Sequence, residues 1–128
     1  MKGILDFSYM IESVPVIAKG IPVSLSIALI AFAAGITIGL IGALVKIYNV
    51  PVLKHITSVY VSFVRGTPLL VQIFLSYYGI PLLIKHINAQ FHTEVDISFI
   101  PAIYFIYVAF SLNAGAYLTE TIRSAILS

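Results

Sequence analysis

A chain of 128 residues that is 60% hydrophobic and only 9% charged has too few polar side chains to coat a water-soluble domain, so it belongs in a bilayer. Its formal net charge of +2 is small and spread over several loops, which excludes an electrostatic nucleic-acid binder. The absence of cysteine excludes disulfides and thiolate metal sites.

Three runs without ionisable side chains, 20–45, 66–84 and 97–119, hold about 26, 19 and 23 residues, against the roughly 20 that a helix needs to cross hydrocarbon. They are continuously apolar and not alternating, so they read as helices and not as barrel strands. The pattern predicts an all-α integral membrane protein with three transmembrane helices at about 21–45, 57–84 and 98–119.

Ahead of them, Ile4, Leu5, Phe7, Met10, Ile11 and Val14 recur at roughly helical spacing among Asp6, Ser8, Glu12 and Ser13, and end at Pro15. This predicts a short helix lying in the membrane interface. Residues 1–19 thus form an N-terminal extracytoplasmic or interfacial segment, and 20–128 a membrane domain. Asp6 and Glu12 soon follow Lys2, and the first long run starts only after Lys19, so no cleavable signal is expected and that run stays as a helix.

Within the first span Ala31, Gly35, Gly39 and Ala43 recur every fourth position. Such a stripe lets another helix approach closely, and packing is preferred to a path lining as its role. Asn49-Val50-Pro51 then reads as a turn. Next, Ile56, Val59, Tyr60, Phe63 and Val64 mark an amphipathic helix that leads to Arg65. An arginine at the head of an apolar run needs a membrane boundary, a wet cavity or a partner. Headgroup phosphates or helix-end carbonyls are its expected contacts.

Gly66-Thr67-Pro68 punctuates the chain, with Thr67 as candidate N-cap and Pro68 as first helical residue. From Pro68 to Ile84 a helix rises about 25 Å, short of a core of roughly 30 Å. Either the residues before Arg65 share the crossing or Gly79-Ile80-Pro81 ends the helix in a protein-lined vestibule. The loop at 85–96 carries His86, His92, Glu94 and Asp96 without ligand spacing, so it reads as solvated and metal-free. Pro101 falls in the first turns of the third span.

Two polar stripes mark the later spans. Gln72 and Ser76 lie one turn apart, and Asn113, Tyr117 and Glu120 lie at i, i+4 and i+7. Each stripe either bridges helices or lines a hydrated route. Glu120 and Arg123 suit an ion pair at the headgroups. Lys46, Lys54 and Arg65 make the first loop basic, whereas Lys85 is offset by Glu94 and Asp96, so the first loop is placed in the cytoplasm and the N-terminus outside.

Several segments resemble one family. They are Pro15-Val16-Ile17-Ala18-Lys19-Gly20 with Ser24-Leu25, Phe63-Val64-Arg65-Gly66-Thr67-Pro68-Leu69-Leu70-Val71-Gln72 with Tyr78-Gly79-Ile80-Pro81, and Ala116-Tyr117-Leu118-Thr119-Glu120 with Ile122-Arg123. Together they are similar to the membrane subunits of ATP-binding-cassette importers for polar amino acids such as histidine, glutamine, glutamate, arginine, opines and cystine. The resemblance implies the N-terminal part of a five-span type I permease in the cytoplasmic membrane. Such a subunit pairs with a second permease subunit, a cytoplasmic ABC ATPase dimer and an extracytoplasmic amino acid-binding protein.

It further implies that this subunit is no enzyme and binds no cofactor, ATP and Mg being used by the ATPase. Translocation proceeds by alternating access. Gln72, Ser76, Asn113 and Tyr117 then face the substrate pathway, and Arg65, Gly66, Thr67 and Pro68 form a hinge or fixed break. The family's cytoplasmic Glu-Ala-Ala loop and last two spans have no counterpart before Ser128. The competing expectation is a non-transporting three-helix assembly partner. An intramembrane enzyme is disfavoured, because no acid, base or nucleophile set converges within the spans.

Overall fold

The protein is described by a computed structural model over residues 6–128. The helices are α1 (Phe7–Ala18), α2 (Ile21–Ile47), α3 (Leu53–Gly66), α4 (Leu69–Phe74), α5 (Ile80–Phe91) and α6 (Ala102–Leu127), and a π turn (Leu75–Gly79) joins α4 to α5. Three stretches are long and apolar enough to cross a membrane: α2, the continuous Leu69–Phe91 and α6, of 27, 23 and 26 residues.

Asp6 caps α1, its carboxylate accepting from the Ser8 and Tyr9 amides at 3.1 and 3.2 Å. The helix continues through Pro15 to Ala18, past the end expected from the apolar pattern, and none of its side chains is buried. Ile4 and Leu5, which opened that pattern, lie outside the described residues.

The middle span, expected over 57–84 with an interruption at Gly66-Thr67-Pro68, is broken at that place, and its details differ from the expectation. Pro68 lacks an N–H and biases Thr67 away from helix, and both residues are extended, with ψ of 142° and 147°. The break is therefore two residues wide. Thr67 is the C-cap of α3 instead of an N-cap, and Pro68 precedes the first helical residue. Gly79-Ile80-Pro81 does not end the helix either, because the π turn carries the chain into α5 with Pro81 in its first turn, where no intrahelical N–H is needed. From Leu69 to Phe91 the path is about 35 Å, enough for a full crossing without α3. His86 thus lies on a helix, and the loop begins at His92, the left-handed C-cap with φ 52°. Pro101 precedes α6 instead of lying inside it.

Contacts set the directions. Ser26 meets Tyr107, Gly35 meets Ala114 and Gly39 meets Leu118, so α2 and α6 run parallel. Gln72 meets Asn113 and Tyr77 meets Phe105, so α4 and α5 run antiparallel to both. The ends bearing Lys46, Glu120 and Arg123 consequently share one side.

Small residues allow α2 and α6 to touch at backbone distance. A methyl group built on Gly39 would sit 2.6 Å from Leu118 Cβ and 3.0 Å from the Leu118 carbonyl carbon, and one on Gly115 would sit 2.6 Å from Ile38 Cγ2. Ala31, Gly35, Gly39 and Ala43 are all buried, joined by Gly42 against the fully buried Thr119. With no hydrophobic drive between helices in lipid, such close dispersion contact is what holds the pair.

Helix α3 follows a turn in which Leu53 N donates to Pro51 O at 2.7 Å around Val52, a γ-turn with φ 66° and ψ −54° that strains a β-branched residue. Its buried face is Tyr60, Val61 and Val64, packed on Ala116, while Ile56, Val59 and Phe63 of the expected apolar stripe face outward. At the opposite end of the molecule Asn88 pins the loop, donating to Val95 O at 2.8 Å and accepting from Thr93 Oγ1 and Val95 N. The Ser98 amide, 2.8 Å from Asp96 Oδ1, together with the Ser98 hydroxyl, holds the Asp96 carboxyl below its ordinary range.

Candidate functional site

The break at Pro68 creates a definite need. In a continuous helix the Val64 carbonyl would accept from residue 68, and proline has no N–H to give. Gln72 supplies it, with Nε2 2.8 Å from Val64 O and 3.1 Å from both the Thr67 carbonyl and Thr67 Oγ1. Thr67 Oγ1 in turn donates to Phe63 O at 2.9 Å. Threonine and glutamine thus satisfy three carbonyls at the break, those of Phe63, Val64 and Thr67, which gives the Arg-Gly-Thr-Pro-Leu-Leu-x-Gln run a physical rationale: irregular backbone at membrane depth must be satisfied from within the protein.

The remaining Gln72 atom ties this corner to α6, where Asn113 Nδ2 donates to Gln72 Oε1 at 3.0 Å. Gln72 and Asn113 thus link α4 to α6 by a side-chain hydrogen bond. Gln72 and Ser76 are 7% and 8% exposed and face into the chain. Tyr117 is different. It is about half exposed, and the Arg65 guanidinium lies 5.4 Å from its ring centroid. Arg65 is itself exposed at the end of α3, and its described partner is this aromatic face, a cation–π contact. Gly66 is unconfined, with nothing within 4 Å of a built methyl group.

Below this corner Glu120 joins two cations. Lys46 Nζ pairs with Oε1, and Arg123 Nη2 lies 2.9 Å from Oε2 with a further bond from Nε at 3.0 Å. The expected Glu120–Arg123 pair is thus a triad, and Lys46 was missed because nothing local to α2 points to a carboxylate 74 residues away. Because Glu120 serves both cations, Glu120→Gln should lower the melting temperature by roughly 2–4 °C, more than Lys46→Gln or Arg123→Gln, as read by thermal unfolding in detergent.

At the other end of the span, a cavity of about 630 Å³ is lined by Tyr77, Tyr78 and Phe105 together with Lys85, Glu94 and Asp96. Among the described residues no three His, Asp or Glu side chains are grouped to hold a metal ion.

The chain is similar in sequence to named proteins and in fold to a solved structure. The chain is 34% identical over 95% of its length to the probable amino-acid ABC transporter permease protein PatM of Vibrio harveyi, covering 50% of it. It is 40% identical over 89% of its length to the L-cystine transport system permease protein TcyB of Bacillus subtilis, covering 43% of that protein. Its fold superposes with a TM-score of 0.74, at 31% identity, on a crystal structure of an amino acid ABC transporter with histidines, over 98% of this chain and 53% of that one. This chain is a homologue of the amino-acid ABC transporter permeases.

No protein-family profile matches it. The permease homologue spans about half the length of the curated relatives it matches. Those relatives are named as permease components of transporters and not as enzymes, and like them this permease homologue is a membrane protein.

Proposed function

We propose that the chain forms the N-terminal, three-span part of a five-span permease in an ATP-driven importer of a polar amino acid. The observation that supports this most strongly is the relationship over nearly the whole chain to proteins named as amino-acid permeases, L-cystine and arginine systems among them. The permease sits in the cytoplasmic membrane with its N-terminus outside, pairs with a second permease subunit and works with an ATPase dimer and an extracytoplasmic binding protein. The ATPase uses ATP and Mg, and this subunit binds no cofactor.

In this reading the aromatic and charged cavity around Tyr77, Phe105 and Asp96 is the outer mouth. Gln72 and Asn113 brace the wall of the pathway, with Ser76 packed beside them. Tyr117, exposed beside Arg65, presents the aromatic surface nearest the inner opening. The rigid cap at Gly66 to Pro68 lets α3 transmit a motion of the ATPase to α4 and α6 without exposing backbone.

The test is reconstitution of the full permease with its ATPase and binding protein in liposomes. ATP-dependent uptake of a labelled polar amino acid, with ATPase activity stimulated by the loaded binding protein, is the expected result. A native product no larger than this chain, or a full product that neither binds an ATPase nor takes up any polar amino acid, would leave the assembly-partner reading in its place.

A further inference from the structure

On the side that carries the Glu120 triad, a pocket of about 290 Å³ opens between the ends of α2 and α6 and the start of α3, lined by Lys46, Asn49, Lys54, His55, Ser58 and Arg123. Every lining side chain is a hydrogen-bond donor, three are cations, and none is a carboxylate. Glu120 lies behind the pocket and already accepts from both Lys46 and Arg123, so three positive charges face one negative. Lys54 forms no ion pair among the described residues. The triad explains how Lys46 and Arg123 are held, and leaves unexplained why a third cation and three neutral donors converge beside them.

The pocket also has a definite place. Lys46 sits in the last turn of the apolar α2, and the chain beside it exposes Tyr48, Val52 and Leu53. A cationic hollow with an apolar rim at the end of two membrane-crossing helices matches a phosphate on an acyl-chain anchor. Its volume of about 290 Å³ suits a small anion. We propose that this pocket binds the phosphate headgroup of an anionic phospholipid, with Lys54, His55 and Ser58 of α3 as its direct donors, fastening the start of α3 to the ends of α2 and α6. The proposal rests on the membrane-crossing reading of α2 and α6 and is independent of which solute is transported.

The experiment is native mass spectrometry of the full permease in its transporter complex, titrated in detergent with phosphatidylglycerol or phosphatidylcholine of identical acyl chains. Phosphatidylglycerol is expected to be retained preferentially, Lys54→Gln to weaken its retention about fivefold, and phosphatidylcholine retention to stay unchanged. Lys85→Gln, at the opposite membrane face, should alter neither. Equal retention of the two lipids, or no response to Lys54→Gln, overturns the proposal. So does displacement of the lipid by millimolar inorganic phosphate alone, which assigns the pocket to a free anion, or loss of the ATPase from Lys54→Gln with lipid retention intact, which assigns it to a protein contact. Lipid retention is read by mass, so a failure of amino acid uptake in the same preparation bears on the transport reading and not on this one.

Discussion

Replacing Gly39 by valine is expected to destroy the packed helix bundle, with a loss of more than about 3 kcal/mol and little folded protein recovered from membranes. Even the first added carbon would lie 2.6 Å from Leu118 Cβ and 3.1 Å from the Thr119 amide nitrogen, and the atoms it meets are helix backbone and a Cβ, which cannot rotate aside. Separating α2 from α6 by the ångström or more needed would also pull Gly35 from Ala114 and Gly42 from Thr119. Dispersion falls off within that distance, and in lipid no hydrophobic effect replaces it. Gly66→Ala is the informative comparison. Nothing lies within 4 Å of the new carbon, so its melting temperature should match wild type to within about 1 kcal/mol equivalent. If thermal unfolding in detergent showed both variants equally damaged, the close α2–α6 contact would be refuted.

The second large effect falls on Gln72. Gln72→Leu removes the donor to Val64 O and Thr67 O and the acceptor for Asn113 Nδ2, and water cannot replace them at this depth. A loss of about 2–4 kcal/mol is expected. Asn113→Leu alone should cost less, since it strands only the Gln72 oxygen. Adding it to Gln72→Leu should cost little more, because the two side chains act as one bridge. Strict additivity of the two losses in a double-mutant cycle would show that the bridge does not form. A route role for Gln72 makes a different forecast, a change in uptake with unaltered stability, so the same variants separate the two assignments.

The bridge shows how far the sequence could be read at this site. Gln72 and Asn113 stood out because polar side chains are rare in apolar spans, and Arg65 to Pro68 because charge, glycine and proline interrupt them. Both signals are carried by residue type and chain position. The choice between bridge and route was not legible, since it depends on whether the amide finds a partner 41 residues away. Lys46 was overlooked for the same reason, and so was Gly115, whose meaning appears only against Ile38. On α3 the error lay in the stripe: Tyr60 and Val64 turn inward with Val61, while Ile56, Val59 and Phe63 face outward. Apolar side chains cover two adjacent faces of that helix, and hydropathy cannot tell a lipid-facing side from a protein-facing one when both surroundings are apolar.

By itself, then, the sequence determined the solvent, the number of helices apolar and long enough to cross a membrane, the break before Leu69 and the close-approach face of α2. Each follows from composition, run length, spacing or proline chemistry, which act within a helical turn or two. Only the tertiary structure decided that Gln72 caps the carbonyl exposed by Pro68, that the π turn carries the helix past Pro81, that Glu120 holds two cations, and that Lys54, His55 and Arg123 meet in one pocket. Those outcomes depend on which surfaces three helices present to one another. Hydrogen bonds and ion pairs act over about 3 to 4 Å and reach across the chain only once packing has brought the groups together.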